Sequence, residues 1–179
     1  MKAVLLFTAV MVFITGCAYM RSDKTADLIH AEQSGNFSNT GAIALHDEGY
    51  RFIVILVKDL AWALESTKIA DYGLPHISQF KRGEKVSPFL TFVAFNKGNA
   101  NLTHSVKLKK PDGKFDPKEY NNLLLARSAV NDGMVYHAQE FATINLDTTY
   151  DLGTYQLYIV IKDGKSIRNA CIIQFILTE

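Results

Sequence analysis

Tyr155-Gln156-Leu157-Tyr158-Ile159-Val160-Ile161-Lys162-Asp163-Gly164-Lys165-Ser166-Ile167-Arg168-Asn169-Ala170-Cys171-Ile172-Ile173-Gln174-Phe175-Ile176-Leu177 decides the fold of this chain. Tyr155, Leu157, Ile159 and Ile161 recur at every second position, the period of a strand that buries one face. Lys162-Asp163-Gly164-Lys165 turns the chain, and Ile167, Cys171, Ile173, Phe175 and Leu177 alternate back. Asp-Gly between alternating apolar runs is a strong hairpin signal, because glycine takes the positive φ that a tight turn demands. Asn169 falls on the core-facing register of the returning strand, so an irregularity of register or burial is expected there.

Just upstream stands Ile144-Asn145-Leu146-Asp147-Thr148-Thr149-Tyr150-Asp151-Leu152-Gly153-Thr154-Tyr155. Asp151-x-Gly153-x-Tyr155 resembles the start of strand F in immunoglobulin-like domains, with Ile144-x-Leu146 as the preceding strand E. The resemblance runs from Phe141 to the C-terminus. It implies a tyrosine corner made by Asp151, Gly153 and Tyr155, in which the tyrosine hydroxyl bonds back to nearby backbone and locks the E–F crossover. The chain departs from antibody-type domains in having Leu157 where the second disulfide cysteine would lie, and in placing Trp62 off any obvious central strand. The expected fold is mostly β: an antiparallel immunoglobulin-like β-sandwich with one or two short helices, similar to uncharacterised exported bacterial sandwich proteins.

The rest of the domain reads as follows. Tyr50 to Val57 is dense in β-branched and aromatic residues, as a buried strand is. Leu60, Ala63, Leu64 and Thr67 recur at helical spacing, which predicts a short helix or an edge crossing over the sheet, with Trp62 inside it. Arg82-Gly83 signals a turn before an almost continuous apolar run from Val86 to Phe95, in which Pro88 marks an edge or a strand beginning. After Asn96-Lys97-Gly98-Asn99, Leu102, His104, Val106 and Leu108 alternate with polar residues. Phe89 to Phe95 and Leu102 to Lys109 are therefore predicted to pair as a hairpin. Asp116-Pro117-Lys118-Glu119 has the form of a helix start, with Tyr120, Leu123, Leu124 and Arg127 as its single face. Asn131-Asp132-Gly133 closes that segment, and Val135 to Leu146 is extended, with Phe141, Ile144 and Leu146 toward the core.

At the N-terminus, Lys2 precedes an apolar run from Ala3 to Ile14 that is too short to span a bilayer. Ile14-Thr15-Gly16-Cys17 resembles the lipobox of bacterial lipoproteins. The resemblance implies diacylglyceryl transfer to Cys17, cleavage before it and acylation, as by palmitate, of the new N-terminus. Ala18 after the cysteine implies sorting to the outer membrane, facing the periplasm. An ordinary signal peptide cleaved elsewhere, or an uncleaved anchor, are the alternatives. The expected organisation is a signal peptide over 1–16, a lipidated N-terminus and flexible tether over 17–40, and the sandwich over 41–179. Within the tether, Ala26 to Gln33 has the makings of a transient helical turn.

The charge balance bounds the partners. The chain carries 19 Lys and Arg against 18 Asp and Glu, and loss of Lys2 with the signal makes it neutral. That leaves no electrostatic footprint for nucleic acid. Cys171 lies inside an apolar run and is expected to be buried. His30, His46, His76, His104 and His137 show no helical pairing, so no metal is expected, and no cofactor beyond the lipid on Cys17. His104 lies on the apolar face of its strand, where a core histidine is a simpler account than a ligand. His137 on a neighbouring strand is its one conceivable partner. Asp112, Asp116 and Glu119 do not follow the alternate-oxygen pattern of a Ca²⁺ loop, and turn and cap roles account for them. No G-x-S-x-G or comparable catalytic signature stands out. Lys107, Lys109 and Lys110 cluster with Lys114 at one hairpin end. Together with Tyr136 and Tyr158 they form a candidate partner surface, against the plainer reading of edge lysines that prevent strand addition.

These readings point to a lipid-anchored binding or adaptor module of the cell envelope, without catalytic activity, that holds a protein or glycan partner. A periplasmic immunity or inhibitor lipoprotein is an alternative. A small hydrolase with a spatially assembled site is another.

Overall fold

The computed structural model describes residues 27–66 and 77–179. In chain order its strands are β1 (Phe37–Ser38), β2 (Ala42–His46), β3 (Tyr50–Val57), β4 (Gln79–Lys81), β5 (Lys85–Ala94), β6 (Gly98–Lys109), β7 (Tyr120–Val130), β8 (Val135–His137), β9 (Ile144–Asn145), β10 (Gly153–Asp163) and β11 (Ser166–Thr178). Two short helices accompany them, α1 with its described part over 27–33, and α2 (Leu60–Ser66). One sheet runs β1-β11-β10-β6-β7, with β4 also on β11. The other runs β2-β3-β5-β8, with β9 also on β5. The order β11-β10-β6-β7 is the G-F-C-C′ order of an immunoglobulin sheet. Pairing is antiparallel except where β1 and β4 run parallel to β11.

The alternating residues of the C-terminal hairpin meet in the core as the period of two demands. Tyr155, Leu157, Ile159, Ile161, Cys171, Ile173 and Phe175 are fully buried, facing Phe52, Leu56 and Leu90 of the other sheet. Tyr155 stacks on Phe175 at 5.3 Å, and Phe80 meets Phe175 edge-on. Asn169 is irregular: the register shifts between Ile161 and Lys162, so that Ile161 faces Asn169 while Lys162 faces Ile167. The Asn169 amide then donates to the His46 carbonyl at 3.2 Å instead of entering the core.

The apolar runs that do not alternate have covers on both faces. Inner residues of β3 join the main core, while Ile55 and Val57 pack with Phe89 beneath Ala63, Leu60 and Leu64 of α2. On the opposite side of the molecule, Ala31 of α1 seals Tyr158, Val160 and Ala170, with Leu28 packed alongside. The architecture is thus helix, sheet, sheet, helix.

Three expectations are corrected. First, β5 and β6 do not form a hairpin: β5 pairs with β3, β8 and β9, and β6 pairs with β10 and β7. The chain crosses between sheets after Ala94. Alternation shows that a strand has a buried face but not which strand pairs with it. Pro88 sits inside β5 opposite Leu56, where β8 has ended and β9 has not begun on the other side.

Second, the helix read after Asp116 is strand β7. Asp116 accepts from the Lys118 amide at 2.8 Å, which makes a local turn and not a helix cap. The spacing of Tyr120, Leu123 and Leu124 mimics a helix because β7 is bulged against β6, with register shifts between Leu102 and Thr103 and between His104 and Val106. Asn122 takes a φ of 53° within that irregular stretch.

Third, the described part of the span read as tether is folded onto the sandwich. α1 lies on the sheet, and β1 pairs with Ile172 and Ile173 of β11. Asn36 donates to the Ala170 carbonyl at 2.9 Å. Burial of Ala31, with Leu28 half-buried beside it, explains why this polar-looking helix holds: packing, not propensity, stabilises it.

Candidate functional site

The crossover from β9 to β10 is fixed at both ends. At its exit the Tyr155 hydroxyl, fully buried, donates to the Asp151 carbonyl at 2.6 Å, the contact that the Asp151-x-Gly153-x-Tyr155 resemblance implies. Gly153 has a φ of 138°, and a Cβ there would lie 3.2 Å from the Pro111 ring. At its start the Leu146 amide donates to the Glu84 carbonyl at 2.9 Å. Between these ends Asp147 accepts from the Thr149 amide at 2.9 Å and from the Thr149 hydroxyl at 2.5 Å. Asn145, Asp147, Thr149 and Tyr150 are thereby presented along one rim.

The chain before β7 supplies the facing wall. The Asp116 amide donates to the Leu108 carbonyl at 2.8 Å, which docks the turn on the end of β6. The Tyr120 hydroxyl donates to the Thr143 carbonyl and ties β7 to the approach of β9. Lys118 sits 4.9 Å over the Tyr120 ring, and Lys110 sits 5.7 Å over the Tyr150 ring and 3.6 Å from the Asp116 carboxylate. The two walls enclose a cleft of about 200 Å³ whose polar lining is Asp116, Lys118, Tyr120, Asn145, Asp147, Thr149 and Tyr150, with Leu108 and Ile144 at its base.

The electrostatics of this cleft favour fixed charges. The Thr149 hydroxyl and amide hold the Asp147 carboxyl below its ordinary value. Burial, reinforced by Asp116, pushes Tyr150 up to about 12, so its hydroxyl keeps its proton. The Tyr120 hydroxyl beside Lys118 holds the ammonium above the usual lysine range. A second cleft of about 430 Å³ is lined by Lys58 to Ala61, Lys85, Ser87 and Thr143. There Lys58 is paired with Glu84 at 2.7 Å, and Ser87 meets Thr143 at 2.9 Å.

The sequence-based partner surface is divided. Lys107, Lys109, Lys110 and Tyr158 come together around β6 and β10, where Tyr158 faces Lys107 in register. Most of that group is engaged within the chain. Lys107 pairs with Glu119 at 3.0 Å, Lys109 lies over the Phe115 and Tyr158 rings, and Tyr158 is buried beneath α1 with its hydroxyl 3.2 Å from Glu32. Tyr136 is in the other sheet, stacked on Phe92 at 5.1 Å, its hydroxyl accepting from the Asn131 amide.

His104 is fully buried on the inner face of β6, and neither ring nitrogen has a hydrogen-bond partner. Burial drives its pKa down to about 4, against a weaker opposing pull from Glu140 and the Leu123 backbone. His137 is exposed on β8 of the other sheet, with Nδ1 on the Ala138 carbonyl, so the two histidines form no joint site. Burial likewise pushes the Cys171 thiol up to about 12. Cys17, the lipobox and His76 lie outside the described residues. No helix among the described residues is long and apolar enough to cross a membrane.

The cleft itself was not assembled from sequence. Its residues come from two segments some thirty positions apart, and one of them was read as helix. In sequence the rims share only an aspartate at the start and a tyrosine at the end, Asp116 to Tyr120 and Asp147 to Tyr150; that each aspartate accepts from the amide two residues on is a feature of the structure.

No family model matches this chain, and no curated protein matches it in sequence. Among solved structures it is similar to a Pseudomonas fluorescens alkylpurine DNA glycosylase, AlkC, at 14% identity and TM-score 0.37, over 57% of this chain and 28% of that one. It is also similar to a Niemann-Pick type C2 protein from the Japanese carpenter ant, at 6% identity and TM-score 0.42, over 70% of this chain and 89% of that one. The C-terminal domain of wzt matches at 12% identity and TM-score 0.42, over 77% of this chain and 78% of that one. The chain spans about a quarter of the length of the glycosylase.

Proposed function

We propose that this chain is a binding module of the bacterial cell envelope, held by lipid on Cys17 at the outer membrane and facing the periplasm, and that it engages its protein or glycan partner without catalysing a reaction. The observation that carries the binding reading is the preformed cleft between Asp116–Tyr120 and Asn145–Tyr150. Its rims are tied to the sandwich by backbone and tyrosine hydrogen bonds, so little ordering is needed when a partner arrives. The lipobox resemblance at Ile14 to Cys17 supports the address.

A photoreactive amino acid in place of Thr149, in the lipidated chain within intact envelopes, tests the reading. A crosslinked adduct is expected at that position, and none when the same probe replaces Glu48 on the β2–β3 turn. Envelopes that give no adduct from position 149 would sink the proposal.

A further inference from the structure

We infer that the cleft receives one neutral sugar unit of a glycan. This rests on the binding reading above and names the ligand class for its site.

Size is the first constraint. A volume of about 200 Å³ lies below the ~300–1,000 Å³ of pockets that engulf drug-sized ligands, and matches one ring of a longer chain lying across an open mouth. Charge is the second. The two carboxylates, Asp116 and Asp147, are matched by two ammonium groups, Lys110 at 3.6 Å from Asp116 and Lys118 in the lining. No surplus of either sign is left to select an ion or a strongly charged peptide.

Hydrogen-bonding capacity is the third. Asn145 offers donors and an acceptor, Asp116 and Asp147 accept, and Lys118 donates. Neighbouring hydroxyls on a sugar both donate and accept, so they suit such a mixed lining, whereas an apolar peptide anchor finds only Leu108 and Ile144.

The test is an array of neutral and acidic envelope-type oligosaccharides, probed with the full lipidated chain in nanodiscs. Neutral glycans are expected to be retained. Asn145→Ala and Lys118→Met, both at exposed positions, are each expected to weaken retention by about tenfold, the loss of one hydrogen bond to a ligand hydroxyl. Glu48→Ala should leave it unchanged. Retention of no neutral glycan overturns the inference, as does retention that both cleft variants leave intact. If glycans fail while the photoprobe at position 149 still captures a protein, the sugar inference falls and the binding reading stands. If both fail, both readings fall.

Discussion

The Tyr155 hydroxyl donates to the carbonyl of Asp151, four residues upstream, at 2.6 Å from within the core. Burial, with Asp151 next, holds the phenol above its ordinary pKa, so it remains a donor across the physiological range. Tyr155→Phe keeps the stack on Phe175 and removes only this bond. It is expected to cost about 1 kcal/mol in denaturant unfolding, the net worth of one hydrogen bond whose acceptor residue, Asp151, is exposed. Amide exchange should rise along 147–153 and not in β11. Unchanged stability would show that the crossover is held by packing alone.

Gly41 presents a sterner constraint than any residue of the hairpins. Its φ is 82°, and a Cβ there would lie 2.3 Å from the Ile77 carbonyl oxygen. Gly41 also accepts from the Leu56 amide at 2.7 Å, so the backbone cannot easily withdraw. Gly41→Ala is expected to cost about 3 kcal/mol or more, through strain at positive φ and a backbone clash. Gly164→Ala is the useful comparison: it also has positive φ, but its nearest neighbour is the Asn101 side chain at 3.8 Å. Equal losses at the two positions would remove the steric part of the argument.

His104 makes stability depend on pH. The folded-state pKa is about 4, below the unfolded value of 6.5, so the unfolded chain binds the extra proton between those limits. The stabilisation is therefore complete above about pH 6.5 and is lost as pH falls toward 4, by an amount on the order of 3 kcal/mol. His104→Leu fills similar space without a titrating ring. Its urea midpoint should be nearly flat over that window, where the parent chain's falls. Below it, both should lose stability together, since Asp147 and Glu84 have lowered pKa values and lose their partners on protonation. A parent midpoint that does not move between pH 7 and 4.5 would remove His104 from the account.

How much of this was legible depends on the range of the signal. Tyr155, Gly153 and Asp151 are neighbours in sequence, and their arrangement follows from local spacing. Asn169 betrayed its bulge because one polar residue interrupted an otherwise regular face. The β5–β6 pairing failed because alternation is a property of one strand, whereas pairing depends on distant chain. Tyr120, Leu123 and Leu124 misled because two register shifts converted a period of two into an apparent helical one. The cleft was hidden for both reasons together: one rim was misread, and the rims meet only through the sandwich. Tyr158 looks available in the sequence because the helical turn at Ala26 to Gln33 reads as part of a tether, and its docking over Tyr158 is a contact between distant segments.

The anchor has a direct test. Cys17→Ser removes the thiol that the lipobox resemblance assigns to lipid, and should abolish metabolic labelling by a palmitate analogue. The apolar run before it then stays attached, so labelling and not fractionation is the deciding readout. Labelling that persists would overturn the lipid assignment.

Helix α1 gives the last prediction. Ala31 is 1% exposed against Tyr158, Val160 and Ala170, while Asp27 meets Lys162 at 2.6 Å on the rim. The two contacts differ in kind. Burial of a charge at Ala31 has no partner to offset it, so Ala31→Asp is expected to cost about 2–3 kcal/mol and release the helix. Asp27→Asn removes a partly exposed ion pair, worth about 0–1 kcal/mol. Hydrogen exchange should therefore show residues 28–36 losing protection in Ala31→Asp, with β6 and β10 still protected, and little change in Asp27→Asn. With lipid on Cys17, as proposed above, the docked helix would leave a reach of at most about 35 Å from Cys17 to residue 27. Release of the helix lengthens that reach. The crosslinked adduct at Thr149 should then form with altered yield in Ala31→Asp envelopes if the cleft meets its partner at a fixed distance from the bilayer.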